Sequence, residues 1–366
     1  MKKQTIVVGM SGGVDSSVAA LLLVEQGFNV VGLHMLSENA ETSQEDANRV
    51  KELCKQLNIK CQIVEYKDQM QIVKDYFLNE YLAGRTPNPC IVCNKEVKFK
   101  PFLEYLETIN ADGFATGHYA AVEHAENLHY LKKATDADKD QTYFLCQLSQ
   151  EQLKKANFAL GALTKQQVRQ LAEQNNLISA NTKDSYDVCF VGSQKFKDFM
   201  DKHCPQKSGN IVDINTNKVV GKHTGIAKYT LGQRKGLGIG GGYGKTGESW
   251  FVVDKDVAKN IVYVAQGDGA ELLSSGLVSG DFNWIPQKPN KTEFTCFAKF
   301  RYRQTDQKVK VVINDDNTIT CTFAQKQRAI TPGQYVVLYG SKNAECNTAD
   351  QATYCFGGAV IQSIIK

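Results

Sequence analysis

What the sequence lacks narrows it first. No run of purely apolar residues is longer than the seven of Val18–Val24, whereas a membrane-spanning helix needs about 20. An integral membrane protein is therefore not expected, and neither is a membrane partner. The opening residues, Lys2 and Lys3 followed by Thr5–Val8, offer too short an apolar stretch for a secretory signal, so a cytoplasmic location is expected. The 11 Cys are odd in number and scattered without a framework. They suit a reducing compartment, where thiols pack, bind metal or react, rather than a disulfide scaffold. With 7 Pro in 366 residues, 42% hydrophobic and 22% charged, the composition is neither disordered nor fibrous. A strong charge of one sign is missing too: the net charge is +4, too small to announce nucleic acid by itself. The excess lies in Leu277–Lys366, with 11 Lys+Arg against 7 Asp+Glu, which permits an acidic partner there.

What is present is an alternation of strand-like and helix-like stretches. Thr5–Val8, Asn29–His34, Cys61–Val64 and Gly113–Thr116 read as strands. Between them run helical stretches: one capped by Asp15 or Ser16 and ending before Gly27, one over Ser43–Leu57 opened by a Ser43/Asp46 capping box, and others over Asp68–Leu82 and Lys95–Ile109. This order predicts an α/β domain over residues 1–200 built on a doubly wound parallel sheet, with ligands beyond the carboxyl ends of its strands. Residues 207–272 are crowded with Gly and predict a small central domain. Over residues 277–366, short alternating runs such as Phe294–Phe300 and Val309–Ile313 predict a C-terminal β-barrel.

The first strand runs into Gly9-Met10-Ser11-Gly12-Gly13-Val14-Asp15-Ser16-Ser17 and then a helix. A loop in that position aims backbone N–H groups and the positive helix end at one point, as a phosphate chain requires. Gly12 and Gly13 let the main chain come close, Ser11, Ser16 and Ser17 offer hydroxyls, and Asp15 is placed either to cap the helix or to help hold Mg2+. The plain alternative is a turn without a ligand, which needs fewer Gly and Ser than are present. Gly9, Ser11 and Gly13 also fit the G-x-S-x-G of hydrolases, but that elbow normally follows several strands. Gly236, Gly238 and Gly241 fit a dinucleotide fingerprint without the preceding strand and following helix it needs. Gly244-Lys245-Thr246 ends like a P-loop, but Ile239 stands where the first Gly is required.

Two cysteines stand in contexts that suggest chemistry. Cys93 lies in Asn88-Pro89-Cys90-Ile91-Val92-Cys93-Asn94, just before a helix expected to be capped by Asn94, with Lys95 and Lys98 near. A helix N-terminus and ammonium groups raise the thiolate fraction of a thiol. Zinc is the rival reading, yet Cys90 and Cys93 find no second C-x-x-C or His pair at finger spacing. Cys189, in the stretch Asp184–Gly192, reads by itself as a buried strand residue.

The Ser11–Ser16 stretch resembles the pyrophosphate loop of the ATP pyrophosphatases (PP-loop superfamily). With Asn88–Phe99, Thr116–Tyr119, Lys139–Leu145, Cys189–Gly192, Gly232–Gly241, Arg301–Gln304 and Pro332–Gln334, essentially the whole chain resembles the bacterial tRNA-specific 2-thiouridylases. That resemblance implies ATP-dependent thiolation of the wobble uridine at C2 in a tRNA anticodon loop, with sulfur supplied by a persulfide donor protein. It implies that Gly9, Met10, Ser11, Gly12, Gly13, Val14, Asp15, Ser16, Met35 and Gly117 hold ATP, and that Asn88, Pro89 and Cys90 touch the target base. Cys93 is then the nucleophile and Cys189 the persulfide carrier, and a disulfide between them is implied at the end of the cycle. His118, Lys139, Asp140, Gln141, Arg301, Tyr302 and Gln334 are implied as tRNA contacts. Where some relatives carry Asp this chain has Cys90, so no acid/base role transfers to that position. The alternative is another PP-loop ligase acting on a small molecule, which would need neither tRNA nor Cys189.

Overall fold

The computed structural model describes residues 3–36, 40–65, 67–183, 188–191, 196–240, 247–267, 269–342 and 346–366. Gly192, Gly241 and Gly244–Thr246 lie outside the described residues, as does the side chain of Ser43. A five-stranded sheet forms from β1 (Thr5–Gly9), β2 (Asn29–Leu36), β3 (Lys60–Glu65), β4 (Gly113–Ala115) and the short strand Ala156–Asn157. Its order is β3-β2-β1-β4 followed by Ala156–Asn157, and every pairing is parallel. Successive side chains of a strand point to opposite faces, and β1 divides its residues accordingly. Ile6 and Val8 enter one core with α1 (Val14–Glu25), α2 (Ala40–Gln56) and the helix Lys165–Gln174. Val7 enters the other, with Phe99, Phe102 and Leu106. The sheet is thus covered on both faces, the doubly wound arrangement, and the carboxyl ends of β1 and β4 open side by side. No helix among the described residues is long and apolar enough to cross a membrane.

The second core does not end at the α/β half. It also takes in Ile285, Phe297, Tyr335, Val337 and Tyr339, which belong to a C-terminal antiparallel barrel. Six strands close that barrel: Leu273–Ser279, Ile319–Arg328, Gln307–Ile313, Glu293–Lys299, Tyr335–Gly340 and Tyr354–Ile365, the last pairing back on the first. A hairpin of the α/β half, Ala121–Ala125 and Leu128–Lys132, adds to the barrel through Tyr354↔Lys132 and Cys355↔Leu131. Shared apolar burial and shared strand pairing fix the barrel against the α/β half. Between them in sequence comes a four-stranded sheet of Gly209–Asp213, Val219–His223, Trp250–Asp256 and Ile261–Gln266.

Two local expectations change. The first helix is capped by Gly13 and starts at Val14, so Asp15 and Ser16 sit within its first turn and do not cap it. The helix expected over Lys95–Ile109 begins at Pro89. A short α segment, Pro89–Val92, runs into a π-helical stretch, Cys93–Phe99, and then into Lys100–Ile109. Proline suits the first helical position because the amide it lacks would be unpaired there. Asn94 is therefore no cap. It is buried inside the helix, and its Nδ2 donates to the Phe144 carbonyl at 3.0 Å.

Candidate active site

The glycine-rich loop is shaped by its own hydroxyls. Ser16 and Ser17 Oγ donate to the Gly13 carbonyl at 3.2 and 2.8 Å, and Ser11 N–H donates to Ser16 Oγ at 3.2 Å. Gly12 has φ +81°, a left-handed conformation that costs other residues about 1–2 kcal/mol. Its face looks toward α2, where a side-chain carbon would come 3.5 Å from the Asp46 carbonyl and 3.7 Å from Arg49. Met10 is buried, its carbonyl bonded to His34 Nδ1 at 2.7 Å, and Met35 is half-buried at the end of β2. Gly117 follows β4 and lies against the loop so closely that a Cβ there would stand 2.7 Å from Ser16 N and 2.8 Å from Asp15 C. Gly117 thus lies directly against the first turn of α1, where the sequence expects an anion site.

Asp15 does not cap α1 and is instead held by two side chains from elsewhere in the fold. Lys165 Nζ reaches its two carboxylate oxygens at 2.7 and 2.8 Å, and the Tyr119 hydroxyl donates to Oδ1 at 2.9 Å. Lys165 was not read as a site residue. The signal was there in Thr164-x-x-Gln167, a capping box that starts a helix and puts Lys165 in its first turn.

Gly117 is followed in the chain by His118. His118 is half-buried with its Nδ1 2.7 Å from Thr116 Oγ1, and its ring packs against Phe99 and Phe158 at 5.8 and 6.3 Å. Burial, and then the Lys98 ammonium, lower its pKa to about 3, so it is a neutral imidazole inside the site. It does not offer a charge to a phosphate. The Lys98 ammonium is near enough to His118, Cys90, Cys93 and Cys189 to favour the less protonated form of each.

Cys93 and Cys189 are free thiols in hydrogen-bond contact. The separation of 96 positions is bridged because Phe190 and Val191, next to Cys189, are buried with Phe77, Tyr81, Val97 and Phe199. Phe190 meets Phe77 edge-on at 5.1 Å, a contact worth about 0.5–1.5 kcal/mol beyond area burial. The electrostatics reverse the expected ranking of the two thiols. The Cys93 S–H donates to Cys189, which with Lys98 lowers the Cys189 pKa to about 6. The same bond, and burial, push Cys93 well above an ordinary thiol. Cys93 sits past the first turn of its helix, so the N-terminal dipole invoked for it acts at Asn88 and Pro89 instead. Asn88 is half-buried, Pro89 buried and Cys90 exposed at this mouth. No group of three or more His, Cys, Asp or Glu among the described residues could hold a metal ion.

The residues expected at RNA divide. Asp140 is buried and accepts from Ala134 N–H at 3.0 Å and Thr142 Oγ1 at 2.7 Å, so it braces its loop and faces no partner. Lys139 and Gln141 beside it are half-buried. Arg301 Nη2 donates to the Ala329 carbonyl at 2.7 Å and Thr331 Oγ1 at 2.8 Å, tying strand ends of the barrel together. Gln334 Nε2 donates to the Thr86 and Pro87 carbonyls at 2.9 and 3.2 Å, so the barrel holds the segment that presents Asn88–Cys90. Tyr302 packs on Phe144 at 4.3 Å. Of the barrel residues, Gln334 reaches the segment that leads to Asn88–Cys90, Tyr302 packs on Phe144, and Arg301 stays among the strand ends.

Three family descriptions match in order along the chain: tRNA methyl transferase HUP domain over residues 4–193, tRNA methyl transferase PRC-barrel domain over 197–266, and aminomethyltransferase beta-barrel domain over 274–361. The chain is 48% identical over 373 residues to the tRNA-specific 2-thiouridylase MnmA of Alkaliphilus oremlandii, covering 100% of this chain and 99% of that one. It is 46% identical over 369 residues to the protein of the same name from Bacillus cereus, covering 99% and 95%. Among solved structures, the U34-tRNA thiolase NcsA from Methanococcus maripaludis is similar over 55% of this chain and 67% of that one, at 21% identity and a TM-score of 0.34.

Proposed function

Since the chain belongs to the tRNA-specific 2-thiouridylase family, we propose that it is an ATP-dependent tRNA sulfurtransferase that replaces the C2 oxygen of the wobble uridine with sulfur. The observation that carries this reading is the pair of thiols in contact at the mouth that Asn88–Cys90 line, joined by Lys98, His118 and Gly117 to the glycine-rich loop.

Uracil oxygen is a poor leaving group, and bound ATP supplies the adenylyl group that turns it into AMP. The loop amides at Gly12 and Gly13 and the first turn of α1 hold the phosphates, while Met35 and Gly117 border the nucleotide. Mg2+, when bound with ATP, would offset the phosphate charge, and Asp15 is the carboxylate on the loop that would help to hold it. The target base comes from an unpaired anticodon loop, which makes eversion cheaper than from a duplex. Tyr302, Lys139 and Gln141 face the RNA.

The two thiols divide the sulfur chemistry by their acidity. Near neutral pH Cys189 is the thiolate, the form that attacks the terminal sulfur of a donor persulfide. That attack gives a Cys189 persulfide and releases the donor as thiolate. The terminal sulfur then reaches C2 in one of two ways. In the first it attacks C2 and AMP leaves, after which Cys93 displaces the thiocarbonyl sulfur from Cys189. In the second Cys93 attacks Cys189 first and frees sulfide, which attacks C2. Each route leaves a Cys93–Cys189 disulfide that an external thiol must reduce, and both require the contact that the two sulfurs already make. Cys93 held protonated is the resting acid of the pair: its proton leaves only when Cys189 no longer carries the anion.

The test is mass spectrometry of tRNA incubated with the protein, ATP, Mg2+ and a persulfide source. The expected product carries one sulfur in place of one oxygen at the wobble uridine, and only with ATP. Unmodified tRNA, with ATP consumed on a small molecule instead, would favour the other PP-loop ligase reading.

A further inference from the structure

Asp15 holds together three parts of the molecule that are far apart in sequence. Its carboxylate takes Lys165 on both oxygens and the Tyr119 hydroxyl on one, and the Lys165 ammonium lies 5.9 Å from the centre of the Tyr119 ring. The exposure of the Lys165 side chain is 12% and that of Asp15 33%, while Tyr119 is buried, so this is a packed node at the edge of the loop. Both partners of Asp15 lead to the same segment. The Tyr119 N–H donates to Gln141 Oε1 at 2.9 Å, and its carbonyl accepts from the Gln141 N–H at 2.8 Å. The Lys165 N–H donates to Asp136 Oδ2 at 2.8 Å, and the Asp136 carbonyl accepts from the Lys139 N–H at 3.1 Å. Two short routes of hydrogen bonds therefore join the nucleotide loop to the Lys139–Gln141 turn.

We infer that Tyr119 and Lys165 are positioning residues that couple nucleotide binding at the loop to tRNA binding at Lys139–Gln141. The inference rests on the proposed function for the assignment of that turn to tRNA. The physical argument is a competition for charge. A triphosphate at the loop attracts the Lys165 ammonium away from Asp15. Asp15, with fewer partners, then leans more on the Tyr119 hydroxyl, and Tyr119 is tied by its main chain to Gln141. The turn is thereby held in one arrangement before RNA arrives, and RNA binding to the ordered turn meets a smaller entropic cost. Coupling is reciprocal by thermodynamic necessity: whatever nucleotide does for tRNA, tRNA does for nucleotide.

The experiment measures the dissociation constant of tRNA for the full chain by fluorescence anisotropy, with and without magnesium and the non-hydrolysable α,β-methylene analogue of ATP. Wild-type protein is expected to bind tRNA about 5- to 20-fold more tightly with the analogue, within the usual range of coupling between sites. Tyr119→Phe, which deletes one hydroxyl, is expected to reduce that ratio to about twofold or less, a marked loss of coupling. Its affinities for tRNA alone and analogue alone should stay within about threefold of wild type, as for the loss of one hydrogen bond. Lys165→Gln is expected to lose the ratio as well, with weaker binding of the analogue. A purely structural role would lower both separate affinities and leave the ratio unchanged. An unchanged ratio in both variants, or a wild-type ratio of one, overturns the inference while the function stands. Failure of wild-type protein to bind tRNA under any condition overturns the function and the inference together. Lys139→Ala with unaltered tRNA affinity removes the turn from the interface and overturns the inference alone.

Discussion

The two halves of the proposed active site are built on opposite principles. The nucleotide wall is local and polar: nine consecutive residues, Gly9–Ser17, bend themselves with their own hydroxyls and amides. The thiol mouth is assembled from distant pieces and is apolar beneath: Cys93 stands on a π-helical turn, Cys189 on a segment anchored by Phe190 and Val191, and the barrel supports the Asn88–Cys90 entrance through Gln334. A phosphate site needs only main-chain amides in the right curvature. A sulfur relay needs two specific atoms to touch, which no short stretch of sequence can arrange. The chain therefore devotes long-range packing to the thiols and short-range bonding to the glycine-rich loop.

That contrast can be broken at either end. The largest effect is expected from Cys189→Ala or Cys93→Ala, each lowering tRNA thiolation on the order of 10³-fold or more, as loss of a reacting group does, while tRNA binding measured by anisotropy is retained. Next is Gly117→Ala. A Cβ 2.7 Å from Ser16 N has to displace backbone, so affinity for ATP should fall about tenfold or more, roughly 1.4 kcal/mol per decade, as read by calorimetry. A smaller change separates the two thiols. The folded-state pKa of Cys189 is depressed to about 6 by the Cys93 hydrogen bond, so the thiolate is present above pH 6 and lost as pH falls through it. Iodoacetamide alkylation of Cys189, followed against pH by peptide mass spectrometry, should show a midpoint near 6 in wild type. Cys93→Ala removes the donor, and the midpoint should move up. The smallest effect is Gln334→Ala, which removes two hydrogen bonds to the entrance segment. It should cost about 1–2 kcal/mol of stability, visible as a shift of a few degrees in Tm.

The same contrast explains what could be read from the sequence. The parallel sheet and the glycine-rich loop were legible because strand–helix alternation and a Gly/Ser cluster are local signals. The start of the Cys93 helix was not. Pro89 is a sound first helical residue, but Asn94 before Lys95 is also a sound cap, and its burial against Phe144 is a tertiary fact. The acidity of the thiols was misjudged for a related reason: the dominant influence on each is the other, 96 residues away. Asp140 was expected at RNA from its neighbours, yet a carboxylate that accepts from Ala134 N–H and Thr142 Oγ1 is occupied inside its own turn. Lys165 and Tyr119, distant in sequence, meet at Asp15 only in the folded chain.

The division of labour between the two thiols is tested most directly by single-turnover sulfur transfer with a labelled donor persulfide and peptide mapping. The label should appear on Cys189 before tRNA is added. After ATP and tRNA are added, it should pass to uridine as a Cys93–Cys189 disulfide forms in equal amount. Label on Cys93 in place of Cys189, or thiouridine formed without that disulfide, would contradict the account.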